Sequence, residues 1–271
     1  MKAARFDYVR PTTVPEALAL IAEAPDAKVM AGGQTLGPML NLRLAQPPLL
    51  IDIARIAELA EVAEDADSVT LGATITHAAI EDGCVTDPTA GFLSQVAAGI
   101  GYRAVRTRGT IGGSLAHADP AADWLSCLAA LGAEVVIAGA GGTRRVALAS
   151  FVRGALETEL AETELLSAVR MPRFSRGARF GFHKICRKTG EFADAIGVAA
   201  HDPDRQLTRL VASTAAGAPV VVEDATLDRA RPPEVGDLQR RLVQAGLTGD
   251  AYDLKLHATA VHRAIRQALE V

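Results

Sequence analysis

The sequence predicts an α+β protein, and three features carry that expectation. Roughly the first 55 residues read as an αβ unit with one well-marked helix start. From about residue 56 the texture changes to short strands and turns broken by helices, and after about residue 173 three strands run in close succession into a helical tail. Strands bunched in this way, rather than alternating regularly with helices, argue for antiparallel sheet with helices packed to its side.

Each element has a local cause. Thr13-Val14-Pro15-Glu16 is a capping box, with proline tolerated in the first turn. Ala17, Leu18, Leu20, Ile21 and Ala24 then give one apolar face that stops at Pro25. Lys28-Val29-Met30 reads as a short strand, stopped by Ala31-Gly32-Gly33-Gln34-Thr35; a helix-like stretch follows over 36–44 and a strand over 49–53. Residues 68–73 form a strand, a helix begins at Thr76, and 90–100 is helical up to Gly99 and Gly101. The stretch 108–115, with Gly109, Gly112 and Gly113, is too rich in glycine for regular structure. Residues 123–131 form an apolar helix closed by Gly132, with Asp119 and Asp123 placed to cap a helix beginning near Pro120. Strands at 134–138 and 144–148 bracket Gly139-Ala140-Gly141-Gly142 as a hairpin loop. A crossover carrying Arg173, Arg176 and Arg179 leads to strands near 180–187, 195–201 and 207–215, and a helical stretch runs from about 234 to 271.

Composition excludes several classes of function. With 271 residues, 49% of them hydrophobic, the chain can bury a real core and is not disordered; at 4% aromatics that core is aliphatic. A net charge of −4 without a block of like charges leaves no footprint for nucleic acid or an anionic membrane. No apolar run reaches the roughly 20 residues of a membrane span, and the residues from Met1 to Tyr8 lack a signal-peptide core. Cys84, Cys127 and Cys186 are odd in number and far apart, so neither a disulfide framework nor a metal knuckle is expected. A reducing cytoplasm fits, with no iron–sulfur cluster or zinc site on this chain.

Two glycine loops stand out. Ala31-Gly32-Gly33-Gln34-Thr35 lies between a strand and a helix, where paired glycines permit positive φ and bring bare N–H groups close to an anion such as a phosphate. The other reading is a tight turn with no ligand. The second loop, Gly109-Thr110-Ile111-Gly112-Gly113-Ser114, again offers a backbone nest with hydroxyl donors, and Asp123 stands where a carboxylate could accept from sugar hydroxyls. Neither loop is followed by the Lys-Ser/Thr of a Walker loop, and no dinucleotide fingerprint opens a helix after a strand. Two such loops about 75 residues apart suit a long ligand with a central diphosphate, a shape that FAD has. The six histidines, His77, His117, His183, His201, His257 and His262, read as structural or surface groups, with His117 set apart by its place in the second motif.

The first loop, together with Thr110-Ile111-Gly112-Gly113-Ser114-Leu115-Ala116-His117-Ala118-Asp119-Pro120-Ala121-Ala122-Asp123, resembles the two FAD motifs of molybdenum hydroxylase flavoproteins. That family includes the medium subunit of carbon monoxide dehydrogenase and the flavin domain of xanthine dehydrogenase. The segments 6–11, 164–172, 188–193 and 196–199 resemble it as well, in the family's order.

The resemblance implies a two-subdomain FAD-binding fold of the vanillyl-alcohol-oxidase/molybdenum-hydroxylase type over 1–172, with subdomains of about 1–55 and 56–172. A smaller C-terminal α+β domain, an antiparallel sheet with helices, is implied over 173–271. It implies a diphosphate wrapped by Val29, Met30, Ala31, Gly32, Gly33, Gln34, Thr35 and Leu36, a second wall of Thr110, Ile111, Gly112, Gly113 and Ser114, and Asp123 on a sugar hydroxyl. Leu165 and Lys184 match positions that touch the cofactor, with Lys184 near the flavin ring, where a cation stabilises the anionic reduced form. Phe192, Thr35 and Thr107 depart from the Tyr, Ser and Asn frequent in the family. The implied role is electron transfer through FAD from two [2Fe–2S] clusters on a small subunit to an external acceptor. The molybdenum–pterin centre lies on a large subunit, and the present chain carries no general acid, general base or metal. The alternatives are a stand-alone FAD oxidase of the same fold, which purified chain oxidising a small alcohol or amine unaided would favour, and a non-enzymatic nucleotide-binding module, which would take up no FAD.

Overall fold

The computed structural model describes residues 2–223, 227 and 231–269. Its first sheet holds β1 (Asp7–Val9), β2 (Lys28–Met30) and β3 (Leu49–Asp52) in the order β1-β3-β2, all parallel. Helices α1 (Val14–Glu23) and α2 (Leu36–Asn41) provide the crossovers. The Thr13 hydroxyl caps α1 by accepting from the Glu16 amide at 3.3 Å, while the Glu16 carboxylate reaches back to the Thr12 amide at 2.7 Å, one residue beyond a regular capping box. Ala17 and Ile21 pack beneath on Ile51, Ile53, Ile56 and Leu59.

A five-stranded antiparallel sheet follows, built from β4 (Val62–Glu64), β5 (Ser68–Gly72), β6 (Glu134–Gly139), β7 (Gly142–Ala147) and, beyond the two-stranded hairpin β8 (Val152–Gly154) and β9 (Glu157–Thr158), β10 (Leu165–Pro172). Its order is β4-β5-β10-β6-β7, and Gly139 and Gly142 close the β6–β7 hairpin as expected. Six helices interrupt it: α3 (His77–Glu81), α4 (Phe92–Ala98), α5 (Arg103–Arg106), α6 (Ile111–His117), α7 (Asp123–Ala130) and α8 (Leu148–Phe151). The presence of α6 corrects the expectation that 108–115 is irregular. Helix α7 begins at Asp123, not near Pro120, and has no side-chain cap; Asp119 instead accepts from the Ala121 amide in a turn two residues earlier. Every residue of α7 is buried.

The last sheet is an antiparallel meander of β11 (Arg179–Ile185), β12 (Ala195–Asp202), β13 (Leu207–Ala212) and β14 (Val220–Glu223), the last strand unforeseen in the sequence. The expected tail helix is two helices, α9 (Val235–Gln244) and α10 (Ala251–Leu269), separated by Gly246 and Gly249, both at positive φ. Residues 270 and 271, included in the expected tail, lie outside the described residues.

Both faces of this meander are covered. Ile196, Val198, Ala200 and Val211 join Trp124 in the central core, while Ala199, Leu210 and Ala212 join Ala258, Val261 and Ala264 of α10. That double burial explains why β12 reads as a continuous run of small apolar residues instead of an alternating one. Gly197 faces α10 so closely that a Cβ there would lie 2.2 Å from the Ala260 carbonyl carbon and the Val261 nitrogen. Gly197→Ala must therefore push the helix off the sheet. The expected cost is about 3 kcal/mol, as for other overpacked cores, and thermal denaturation of the variant will show it as a lowered Tm.

Candidate functional site

The first loop leaves β2 at Met30, whose carbonyl is tied to the Ile53 amide at 3.0 Å, and turns into α2 through Gly33 at φ +70°. Three of its carbonyls are occupied: Gly33 accepts from Gly37 at 2.9 Å, Thr35 from Met39 at 3.2 Å, and Gly32 from the Gln34 side chain at 3.3 Å. The N–H groups of Gly32, Gly33, Gln34 and Thr35 make no hydrogen bond among the described residues. Four consecutive amides without acceptors form the kind of concavity that takes an anion.

The second loop differs from the sequence expectation. Thr110 caps α6, its hydroxyl accepting from the Gly113 amide at 3.1 Å; the Ile111 amide donates to Ile75, the Gly112 amide to Ala73 and the Ser114 amide to Thr110, each at 3.0 Å. These amides are spent inside the protein, so the segment is a wall and not a second nest. Its glycines serve proximity: a Cβ on Gly112 would meet that of Ala73 at 2.5 Å. Ile111 is fully buried in the core and lies off the cavity, which removes it as a donor to any ligand.

The two loops meet directly. A Cβ on Gly32 would lie 1.9 Å from the Arg108 carbonyl oxygen and 2.8 Å from the Gly109 Cα, and one on Gly113 would stand 3.8 Å from the Ala31 methyl. Around this junction opens a cavity of about 660 Å³, lined by every sequence-predicted site residue except Ile111. Its mouth carries two exposed aromatics, Tyr102 and Phe192, with Gly190 packed against the Gly101 backbone. The Tyr102 side is held by Arg106, which pairs with Glu81 at 2.7 Å and donates to the carbonyls of Ile100 and Gly101, both at 3.1 Å.

Lys184 and Asp123, read separately in the sequence, form one ion pair. The Lys184 Nζ lies 3.0 and 3.1 Å from the two carboxylate oxygens, and both side chains are largely buried. The strand alternation of β11 produces this contact: Gly181 and His183 face α10, whereas Phe180, Phe182 and Lys184 turn toward the central body, where Phe180 stacks on Phe92. Burial raises the Asp123 pKa, with Lys184 opposing it. Each carboxylate oxygen keeps a further lone pair, so Asp123 can still accept from a ligand hydroxyl.

Among the lining residues that the sequence does not single out are His77, Leu156 and Glu164. The Glu164 carboxyl is held down to about 2 by paired hydrogen bonds from Arg144 at 2.7 and 2.8 Å. Burial, then Arg106, lowers His77 to about 4. Leu156 adopts φ +62° and donates its amide to the carbonyl of Ala118, itself at φ +50°. No motif marks His77 or Leu156, and Glu164, at the start of the family-like segment 164–172, has no role assigned there; the placement of all three depends on contacts with distant segments.

Residues 4–174 match the family model described as FAD binding domain in molybdopterin dehydrogenase. The chain belongs to this family. Over 225 residues it is 34% identical to caffeine dehydrogenase subunit beta of a Pseudomonas species, covering 81% of this chain and 76% of the relative. It is 38% identical to the carbon monoxide dehydrogenase medium chain of Hydrogenophaga pseudoflava, covering 70% and 67%. A solved carbon monoxide dehydrogenase from the same organism, lacking the Mo-pyranopterin moiety of its cofactor, superposes with a TM-score of 0.84 at 30% identity, covering 100% of this chain and 99% of that one. This molybdopterin-dehydrogenase flavoprotein is accordingly an oxidoreductase component, and its helices with largely antiparallel sheets are the predicted α+β class. FAD suits the cavity on physical grounds: the volume lies in the usual range for cofactor sites, four unpaired amides meet the need of a diphosphate, and Lys184 with Asp123 offers polar contacts beyond them. No helix among the described residues is long and apolar enough to cross a membrane.

Proposed function

We propose that this chain is the FAD-binding electron-transfer subunit of a molybdenum-containing hydroxylase, working in the cytoplasm beside a large molybdopterin-binding subunit and a small subunit with two [2Fe–2S] clusters. The observation that carries the reading is the row of acceptor-free amides from Gly32 to Thr35, set against the Arg108–Ser114 wall across a single cavity. Bound FAD supplies redox chemistry that links the iron–sulfur donors to an external acceptor. The chain's own residues bind and position it. Residues 29–36 hold the diphosphate, Thr110, Gly112, Gly113 and Ser114 limit its other side, Asp123 accepts from a sugar-like hydroxyl, and Leu165 and Lys184 complete the pocket. In this division 1–172 carries the cofactor and 173–271, which brings Lys184, closes the site.

The assignment has a direct test in Gly33→Val and Gly113→Val. The first forces a β-branched side chain to φ +70°, a strain of about 1–3 kcal/mol, and places bulk among the free amides. The second sets a Cβ 2.8 Å from the Thr110 capping oxygen and projects from the cavity wall. A loss of 2.7 kcal/mol corresponds to about a hundredfold in affinity, so both variants should come out colourless after dialysis. Stoichiometric yellow protein in both cases would refute the site.

A further inference from the structure

We propose that His77 is a ligand-binding residue whose Nε2–H donates to an oxygen of the FAD diphosphate where the two glycine loops meet. The inference rests on the FAD reading above and assigns the site a donor that neither loop contains.

His77 opens α3 directly after the Thr76 cap, and its amide donates to the Gly109 carbonyl at 2.9 Å. This backbone bond ties the residue to the second loop. The indole of Trp124 donates to the ring's Nδ1 at 3.0 Å. An indole N–H can only donate, so Nδ1 must present its lone pair, and the single proton of the neutral ring sits on Nε2. Burial together with the nearby Arg106 charge favours that neutral form.

The position of Nε2 follows from its neighbour. A Cβ built on Gly109 would lie 2.9 Å from Cδ2 and 3.0 Å from Nε2, so the ring edge lies against Gly109, the residue on which Gly32 of the first loop also rests. His77 is only 5% exposed, yet it lines the cavity, and its Nε2 has no partner among the described residues. A donor with a fixed tautomer, held on the cavity wall with no acceptor from the described residues, is free to bond whatever occupies the cavity. The acceptor called for here is a ligand oxygen near the free amides of Gly32 to Thr35, and a diphosphate oxygen meets that need. A neutral imidazole gives such a bond without desolvating a cation of its own.

Two substitutions separate binding from scaffolding. His77→Asn keeps an acceptor for Trp124 at the Nδ1 position and removes the Nε2 donor; His77→Gln restores an N–H near Nε2 and gives up the acceptor. With FAD and with ADP as probes of the purified full chain, Asn should weaken both by about tenfold to a hundredfold, the range for a lost bond to a charged acceptor, while Gln stays near wild type. A purely structural histidine would reverse that order or impair both equally, and either result overturns the inference. Wild-type protein gives an independent readout through its 15N imidazole spectrum. ADP should move the His77 Nε2 resonance and riboflavin should not; an unmoved resonance under saturating ADP overturns the inference even if neither variant folds. Failure of the wild type to take up FAD would sink the cofactor reading itself, and this inference with it. FAD uptake by the wild type with undiminished binding by His77→Asn would sink the inference alone.

Discussion

Gly32→Ala is expected to cost the chain its FAD, with affinity falling at least a hundredfold, although it adds a single methyl group. That methyl would stand 1.9 Å from the Arg108 carbonyl oxygen and 2.6 Å from its carbon, and both atoms are backbone that cannot rotate away. The loops must part, and the unpaired amides then no longer face the wall that confines their ligand. By comparison, among the described residues a Cβ on Gly33 would approach the flexible Met30 side chain alone, at 3.4 Å or more, so Gly33→Ala costs mainly the strain of φ +70°, about 1 kcal/mol. Titrating FAD into both variants by flavin fluorescence orders the two effects. A Gly32→Ala protein binding as tightly as Gly33→Ala would show that the junction of the loops is not what forms the site.

Lys184→Met is expected to destabilise the chain by about 3–5 kcal/mol, because the Asp123 carboxylate keeps its burial and loses its counter-charge. The double variant Lys184→Met/Asp123→Leu should recover most of that loss, since no buried charge then remains unpaired. The pH dependence has a definite sign. Burial raises the folded-state pKa of Asp123 above its ordinary 3.8, and removing Lys184 raises it further. Below that raised pKa the carboxyl is neutral in the folded protein and the missing cation matters less. The stability deficit of Lys184→Met should thus shrink as pH falls from neutrality toward 4 and be largest above it. Urea melts of the cofactor-free protein at several pH values measure this; a deficit independent of pH would mean that the cost is lost packing of the lysine stem.

The first binding loop was legible because strand, paired glycines and helix are adjacent in sequence, and local rules suffice for such a unit. The second was found as a motif and misread as a shape. Gly112 tolerates a helical position because Ala73 leaves no room for a side chain, a tertiary constraint that outweighs helix propensity. The meander was foreseen strand by strand except for β14, and the C-terminal helix was expected in one piece, although Gly246 and Gly249 stand at its break. What sequence could not supply were partnerships across distance. Lys184 meets Asp123 across 61 residues, and Trp124 meets His77 across 47, so the roles of both pairs depend on the packing of α7 between the central body and the meander.

That packing has a consequence for cooperativity. Because alternate residues of β12 belong to two different cores, with Ile196 and Val198 on α7 and Ala199 on α10, neither core can melt without stripping one side of the same strand. The two cores that share this strand are therefore expected to melt together, and the C-terminal helix to share in any stability a bound ligand gives to the body that carries α7.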